Sequence, residues 1–125
     1  RLVIDPSTPL KGYEPEVRRI RLQTLLDFLS DTQIKDVQVA VRTRENPGSN
    51  TIVGDWFNAK SVAPRAGQGY FQTIFTWHAP TVLKTIETFD ADFNDLLEEN
   101  GTDAITSREF AVQVVKKEIE KVKIQ

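Results

Sequence analysis

Residues able to do covalent or acid–base chemistry are few in this chain, and their spacing serves that chemistry poorly. His78 is the sole imidazole, and cysteine is absent. A Ser–His or Cys–His nucleophile needs a base that only His78 could supply, and no serine stands in a G-x-S-x-G setting. Trp77 and Pro80 beside it suggest a histidine packed at a strand end. Gly67-Gln68-Gly69 precedes a strand and has no Lys-Ser or Lys-Thr after it, so a phosphate loop has no support.

The acidic run from Asp90 to Asp103 is the candidate for metal chemistry. An EF-hand loop needs oxygen ligands at its positions 1, 3, 5 and 12 and a turn glycine at 6. In the register starting at Asp90, positions 6 and 12 are Asp95 and Gly101, which fails twice. In the register starting at Glu98, Ile105 and Glu109 fall at positions 8 and 12, but Asp103 stands where glycine is required. A joint between two helices, closed by a Thr106/Glu109 capping box, accounts for the same residues without an ion. No metal and no cofactor is expected. Acids on one helical face also give no reason to pair two carboxylates across a cleft, so the reading is non-enzymatic.

The segment Gly54–Phe71 can do recognition chemistry. It holds Trp56, Phe57, Tyr70 and Phe71 with Lys60 and Arg65, and shows no helical or alternating pattern. Tyr70 and Phe71 belong to the strand that follows. Trp56, Phe57, Lys60 and Arg65 remain as the expected partner-binding set on a projecting loop, residues 54–69. Aromatics with cations stack on nucleic-acid bases and are also enriched at protein–protein hot spots. A third reading folds Trp56 and Phe57 back as a lid over the core edge.

Charge helps to choose between these. The net charge is −2, with 16 Lys/Arg against 18 Asp/Glu, whereas phosphate-gripping domains usually carry a basic excess. Nucleic acid is therefore unlikely as the main partner and a protein is favoured. The sign is also segregated: residues 80–103 hold seven acids and one lysine. Such separation suits head-to-tail contact with copies of the chain or with a charged partner, although a solvated helix face would look the same.

The elements that must position these residues can be read from periodicity. Leu2-Val3-Ile4 starts an N-terminal arm or edge strand, residues 1–13. Pro15 opens a helix to Ser30 whose apolar positions Val17, Ile20, Leu22, Leu25, Leu26, Phe28 and Leu29 are too broad a face for one neighbour. Arg18, Arg19 and Arg21 are left toward the open side. Val37–Arg44 alternates as a half-buried strand, residues 51–53 form a short returning strand, and Tyr70–Trp77 a further strand with bulk on both faces. The strands at 37–44 and 70–77 are expected to pair around the 54–69 insertion. Residues 81–97 are expected to be helical, with a strand at 81–88 as the alternative, and Thr106–Val122 forms a last helix.

The expected fold is a single α+β domain over residues 1–125: a small, mostly antiparallel sheet packed against about three helices. No run reaches the roughly 18 apolar residues that span a bilayer, and the chain is expected to be soluble. The sequon Asn100-Gly101-Thr102 would matter only in a secreted protein, and absent cysteine leaves the compartment open. The leading functional expectation is a structural or adaptor subunit assembling with itself or with a larger complex, for example a ring or virion component such as a phage head–tail or tail protein. The alternatives are a small ligand- or single-strand nucleic-acid-binding module using the 54–71 aromatics, and a carboxylate- or metal-dependent enzyme.

Overall fold

The computed structural model of the protein describes residues 1–7, 12–42, 50–62 and 72–122. In chain order the elements are β1 (Leu2–Ile4), α1 (Pro15–Ser30), β2 (Val39–Val41), β3 (Asn50–Val53), β4 (Phe57–Val62), β5 (Gln72–Thr76), α2 (Ala79–Asn100) and α3 (Ser107–Lys121). The fold is α+β, with three helices, a three-stranded antiparallel sheet and a two-stranded parallel sheet. Contacts group the chain into two compact units, residues 1–45 with 93–125, and residues 46–92. Among the described residues no helix is long and apolar enough to cross a membrane.

In the first unit, α1 and α3 pack on the parallel pair β1–β2. The shared core is Ile4, Leu22, Leu29, Val39, Val41, Ala111, Val112 and Val115. Leu2, Val3 and Ile4 stand in register with Val39, Ala40 and Val41. The first residues are thus the edge strand of a core rather than an arm; Thr8 to Lys11 lie outside the described residues. The reason is hydrophobic: Ile4 is buried beneath the helices. Of the strand expected at 37–44, Val39–Val41 form strand β2, residues 43 and 44 lie outside the described residues, and the three strand residues are all buried instead of alternating. A parallel strand covered on both faces has no polar side to offer.

Among the described residues, side chains and not a third strand close the outer edge of β2. The buried Ser107 hydroxyl accepts from the Val39 N–H at 3.2 Å. Asn100 Oδ1 accepts from the Val41 N–H at 2.9 Å, and its Nδ2 donates to the Val41 carbonyl at 3.1 Å. The asparagine of the sequon is therefore engaged within the fold. At the end of α1, the Arg108 guanidinium donates to the carbonyls of Leu29, Ile34 and Asp31 at 2.7, 2.5 and 2.6 Å. A cation with forked donors meets the Leu29 carbonyl in the last turn, two carbonyls of the loop beyond it, and the negative pole of a helix C-terminus.

Helix α2 is continuous, so residues 81–88 are helical despite their β-branched content. Its apolar stripe decides this: Val82, Phe93, Leu96 and Leu97 are buried at helical spacing, which outweighs a weak local preference. The capping box expected at the start of α3 is absent. Thr106 makes no side-chain cap bond, and Glu109 accepts from Gln113 Nε2 at 2.8 Å. Asp103 organises the joint instead. Its Oδ1 accepts from the N–H of Ile105 and Thr106 at 2.9 and 2.8 Å and from the Thr106 hydroxyl at 3.0 Å. An Asx turn of this kind satisfies, from outside the helix, the Thr106 N–H that the Glu109 carboxylate of a capping box would have taken.

In the second unit, β3, β4 and β5 form an antiparallel meander. The projecting loop expected at 54–69 is a short turn, Gly54-Asp55-Trp56, followed by strand β4; residues 63–69 lie outside the described residues. Strand β4 pairs on both sides, with Val53 opposite Phe57 and Asn58 opposite Thr76. Ladder bonds on both flanks satisfy its backbone, which an irregular loop would leave to water. Accordingly, β5 pairs with β4 and β2 with β1, and among the described residues the expected pairing of 37–44 with 70–77 does not form; residues 43, 44, 70 and 71 lie outside them.

Candidate functional site: an uncovered aromatic sheet face

Side chains alternate across a sheet, so register assigns each residue to a face. Thr51 and Val53 of β3, Phe57, Ala59 and Ser61 of β4, and Thr73 and Phe75 of β5 share one face, extended by Trp77 at the strand end. No residue in this set is charged. Four large apolar side chains here are more than 40% exposed: Val53 (44%), Phe75 (56%), Trp77 (63%) and Trp56 (56%), the last in the turn. Among the described residues nothing covers this face.

The rings form a connected cluster around Phe57, which is half-buried. Its centroid lies 5.6 Å from Trp56, 6.2 Å from Phe75 and 5.6 Å from Trp77, the last edge-to-face at 60°. Phe75 and Trp77 are 6.4 Å apart and nearly parallel at 24°. These are the separations at which aromatic pairs attract beyond simple burial. The sheet backbone holds Phe57, Phe75 and Trp77 in place, so the surface is pre-organised.

Gly54 sets the position of Trp56. Its φ of +56° is in the left-handed region, and a Cβ there would meet Trp56 Cδ1 at 3.1 Å. The indole lies against the turn because glycine leaves the space. The lid reading fails for Trp56, which is 56% exposed.

The four residues expected to bind a partner separate. Trp56 and Phe57 belong to the aromatic cluster. Lys60 does not: three positions from Phe57 along a strand, it lies on the opposite face and lines a groove of about 480 Å³ with Asn50, Thr81, Lys84 and Asp92. Arg65 lies outside the described residues. Phe75 and Trp77 were legible as one face of a strand, but with bulk on both faces the sequence alone did not say which one water keeps. The signal for the site was the alternation of Phe57 with Ala59 read together with Phe75 and Trp77.

The other chemistry-bearing residues are engaged locally. His78 Nδ1 lies 2.8 Å from the Thr81 hydroxyl, at the exposed start of α2. Three hydrogen bonds hold the Asp103 carboxyl below its ordinary value of 3.8: chiefly that from the Thr106 N–H, then those from the Thr106 hydroxyl and the Ile105 N–H. Among the described residues no group of three or more His, Cys, Asp or Glu is placed to hold a metal ion. Compared with models of protein families, with curated proteins and with solved structures, the chain matches none.

Proposed function

We propose that the protein is a non-enzymatic structural or adaptor subunit that engages a neighbouring protein through the aromatic sheet face. The observation carrying this reading is the cluster of Trp56, Phe57, Phe75 and Trp77 on a sheet face with no charged residue. Rigid aromatics lose little side-chain entropy when covered, and exposed apolar patches on folded chains usually mark contact sites. A nucleic-acid surface would need cations beside the rings to meet phosphate, and among the described residues of the sheet the lysine, Lys60, is on the other side.

A photo-crosslinking residue placed at Trp77 tests this in the cell of origin, with the same residue at the exposed Asp95 of α2 as control. A discrete protein adduct from position 77 and none from position 95 is the expected outcome. Equal labelling from both positions would sink the reading, and an adduct to single-stranded nucleic acid would replace it with the base-stacking alternative.

A further inference from the structure

Helix α1 carries more apolar residues than its own core uses. Leu22 and Leu29 are buried and Leu25 and Leu26 half-buried against the core of the first unit. On the opposite side Val17 (38% exposed), Ile20 (60%) and Phe28 (43%) face water, with the Thr24 methyl between them. The Thr24 hydroxyl is already bonded to the Ile20 carbonyl at 2.9 Å, which leaves the methyl as the part available for packing. Intervals of three, four and four residues make this a second stripe along the helix. Over one repeat Val17 and Thr24 take the a positions of a heptad and Ile20 the d position between them; the next d is the exposed Asp27, with Phe28 beside it at e, so the seam ends at Thr24.

The flanks of this seam carry matched charges. Glu16 precedes Val17 at a g position, and Arg21 follows Ile20 at an e position. Both are exposed. The Arg21 guanidinium sits 4.5 Å from the Tyr13 ring centroid, which holds it beside the seam. In a parallel helix pair, a g residue meets the e residue five positions later on the other helix. Glu16 and Arg21 are five apart, so two copies of α1 side by side make two reciprocal Glu16–Arg21 pairs around a Val17–Ile20–Thr24 seam. An antiparallel pair would set Arg21 against Glu14, which precedes the first helical residue, and leave Glu16 against the uncharged Gln23; the parallel pair draws both charges from within the helix.

We infer that the outer stripe of α1 is the contact surface for a second copy of this chain, the two helices running parallel about a twofold axis. The self-complementary charges select a copy over an unrelated partner: the same patch supplies both halves of each pair, as an isologous interface requires. A seam this short would be marginal for isolated peptides, but α1 is already held by its own core. This deepens the assembly reading by naming one neighbour, and it uses residues other than the aromatic face.

Sedimentation of the full chain over a dilution series provides the test, with circular dichroism confirming the fold of each variant. The wild type is expected to dimerise reversibly, and Ile20→Lys to stay monomeric at concentrations where the wild type pairs. Arg21→Glu sets Glu16 against a glutamate and is expected to weaken the dimer, and adding Glu16→Arg to it to restore it. A wild type that stays monomeric overturns the inference, as does a dimer indifferent to Ile20→Lys. If Ile20→Lys does not fold, the charge series decides, and failure of the double swap to restore pairing overturns the parallel register. Association that survives every α1 change but is lost in Trp77→Ser overturns this inference while leaving the aromatic-face reading standing.

Discussion

The Asn100 side chain behaves toward Val41 as a neighbouring strand would, accepting from its N–H at 2.9 Å and donating to its carbonyl at 3.1 Å. The two residues are 59 apart in sequence. One amide side chain at the end of α2 thus blocks the edge of a two-stranded sheet that would otherwise offer unpaired groups to another chain. The tip of the helix and the strand become one unit.

Replacing Asn100 by Ala should accordingly lower stability by about 2 kcal/mol, because two part-buried backbone groups lose their partners together. Asn100→Asp keeps the acceptor for the Val41 N–H but loses the donor to its carbonyl, and its destabilisation should be at least as large. Urea unfolding of the three proteins measures the order; an unchanged midpoint in Asn100→Ala would show that water replaces the amide without cost.

Arg108→Lys tests the clamp at the end of α1. A lysine ammonium cannot meet three carbonyls in one plane, so the variant should lose about 1–2 kcal/mol despite keeping the charge. If Arg108→Lys is neutral while Arg108→Met is not, charge at the helix end matters and the forked geometry does not.

On the aromatic face, stability and association should separate. Trp77→Ser removes a largely exposed ring that touches Phe57 and Phe75 and should lower stability by about 1 kcal/mol at most. Phe57→Ala removes the ring at the centre of the cluster and should cost about 2 kcal/mol. Trp56 and Trp77 are the two tryptophans of the chain, so tryptophan emission reports directly on this face. Emission should shift to shorter wavelength when a partner covers it, and stay put if the partner docks elsewhere.

Gly54→Ala should destabilise the β3–β4 hairpin by about 1–2 kcal/mol, since the residue is left-handed and the new Cβ presses on Trp56. Quenching of tryptophan emission by acrylamide should rise in the variant as the indole is displaced.

The Asp103 carboxyl is held below its ordinary value of 3.8 by the bonds it accepts from Thr106 and Ile105. A folded-state value below the unfolded one gives stability that is fully present above the unfolded value and lost as pH falls through the folded one. Asp103→Asn keeps an acceptor oxygen without the charge. Its melting temperature should lie below that of the wild type at neutral pH, with the gap closing as pH drops below 3.8. A gap that is constant with pH would assign the difference to geometry rather than to charge.

The sequence by itself determined the helices and the α+β class. Pro15 and the apolar positions after it and the line Ala111–Val115–Ile119 are local patterns with one low-energy reading, and the stripe from Val82 to Leu97 favoured helix over the strand that residues 81–88 also allowed. The excess apolar breadth of α1 was also legible, and two opposed stripes account for it: Leu22 and Leu29 inside, Val17 and Ile20 outside. Pairing was decided only by the tertiary structure. Whether residues 57–62 were loop or strand depended on ladder partners at 50–53 and 72–76, and spacing along the chain carries no record of such partners. The same non-local register placed Phe75 and Trp77 beside Phe57 and put Lys60 behind them. Alternation along one strand identifies its two faces; which face water keeps is settled only when the remaining elements have packed.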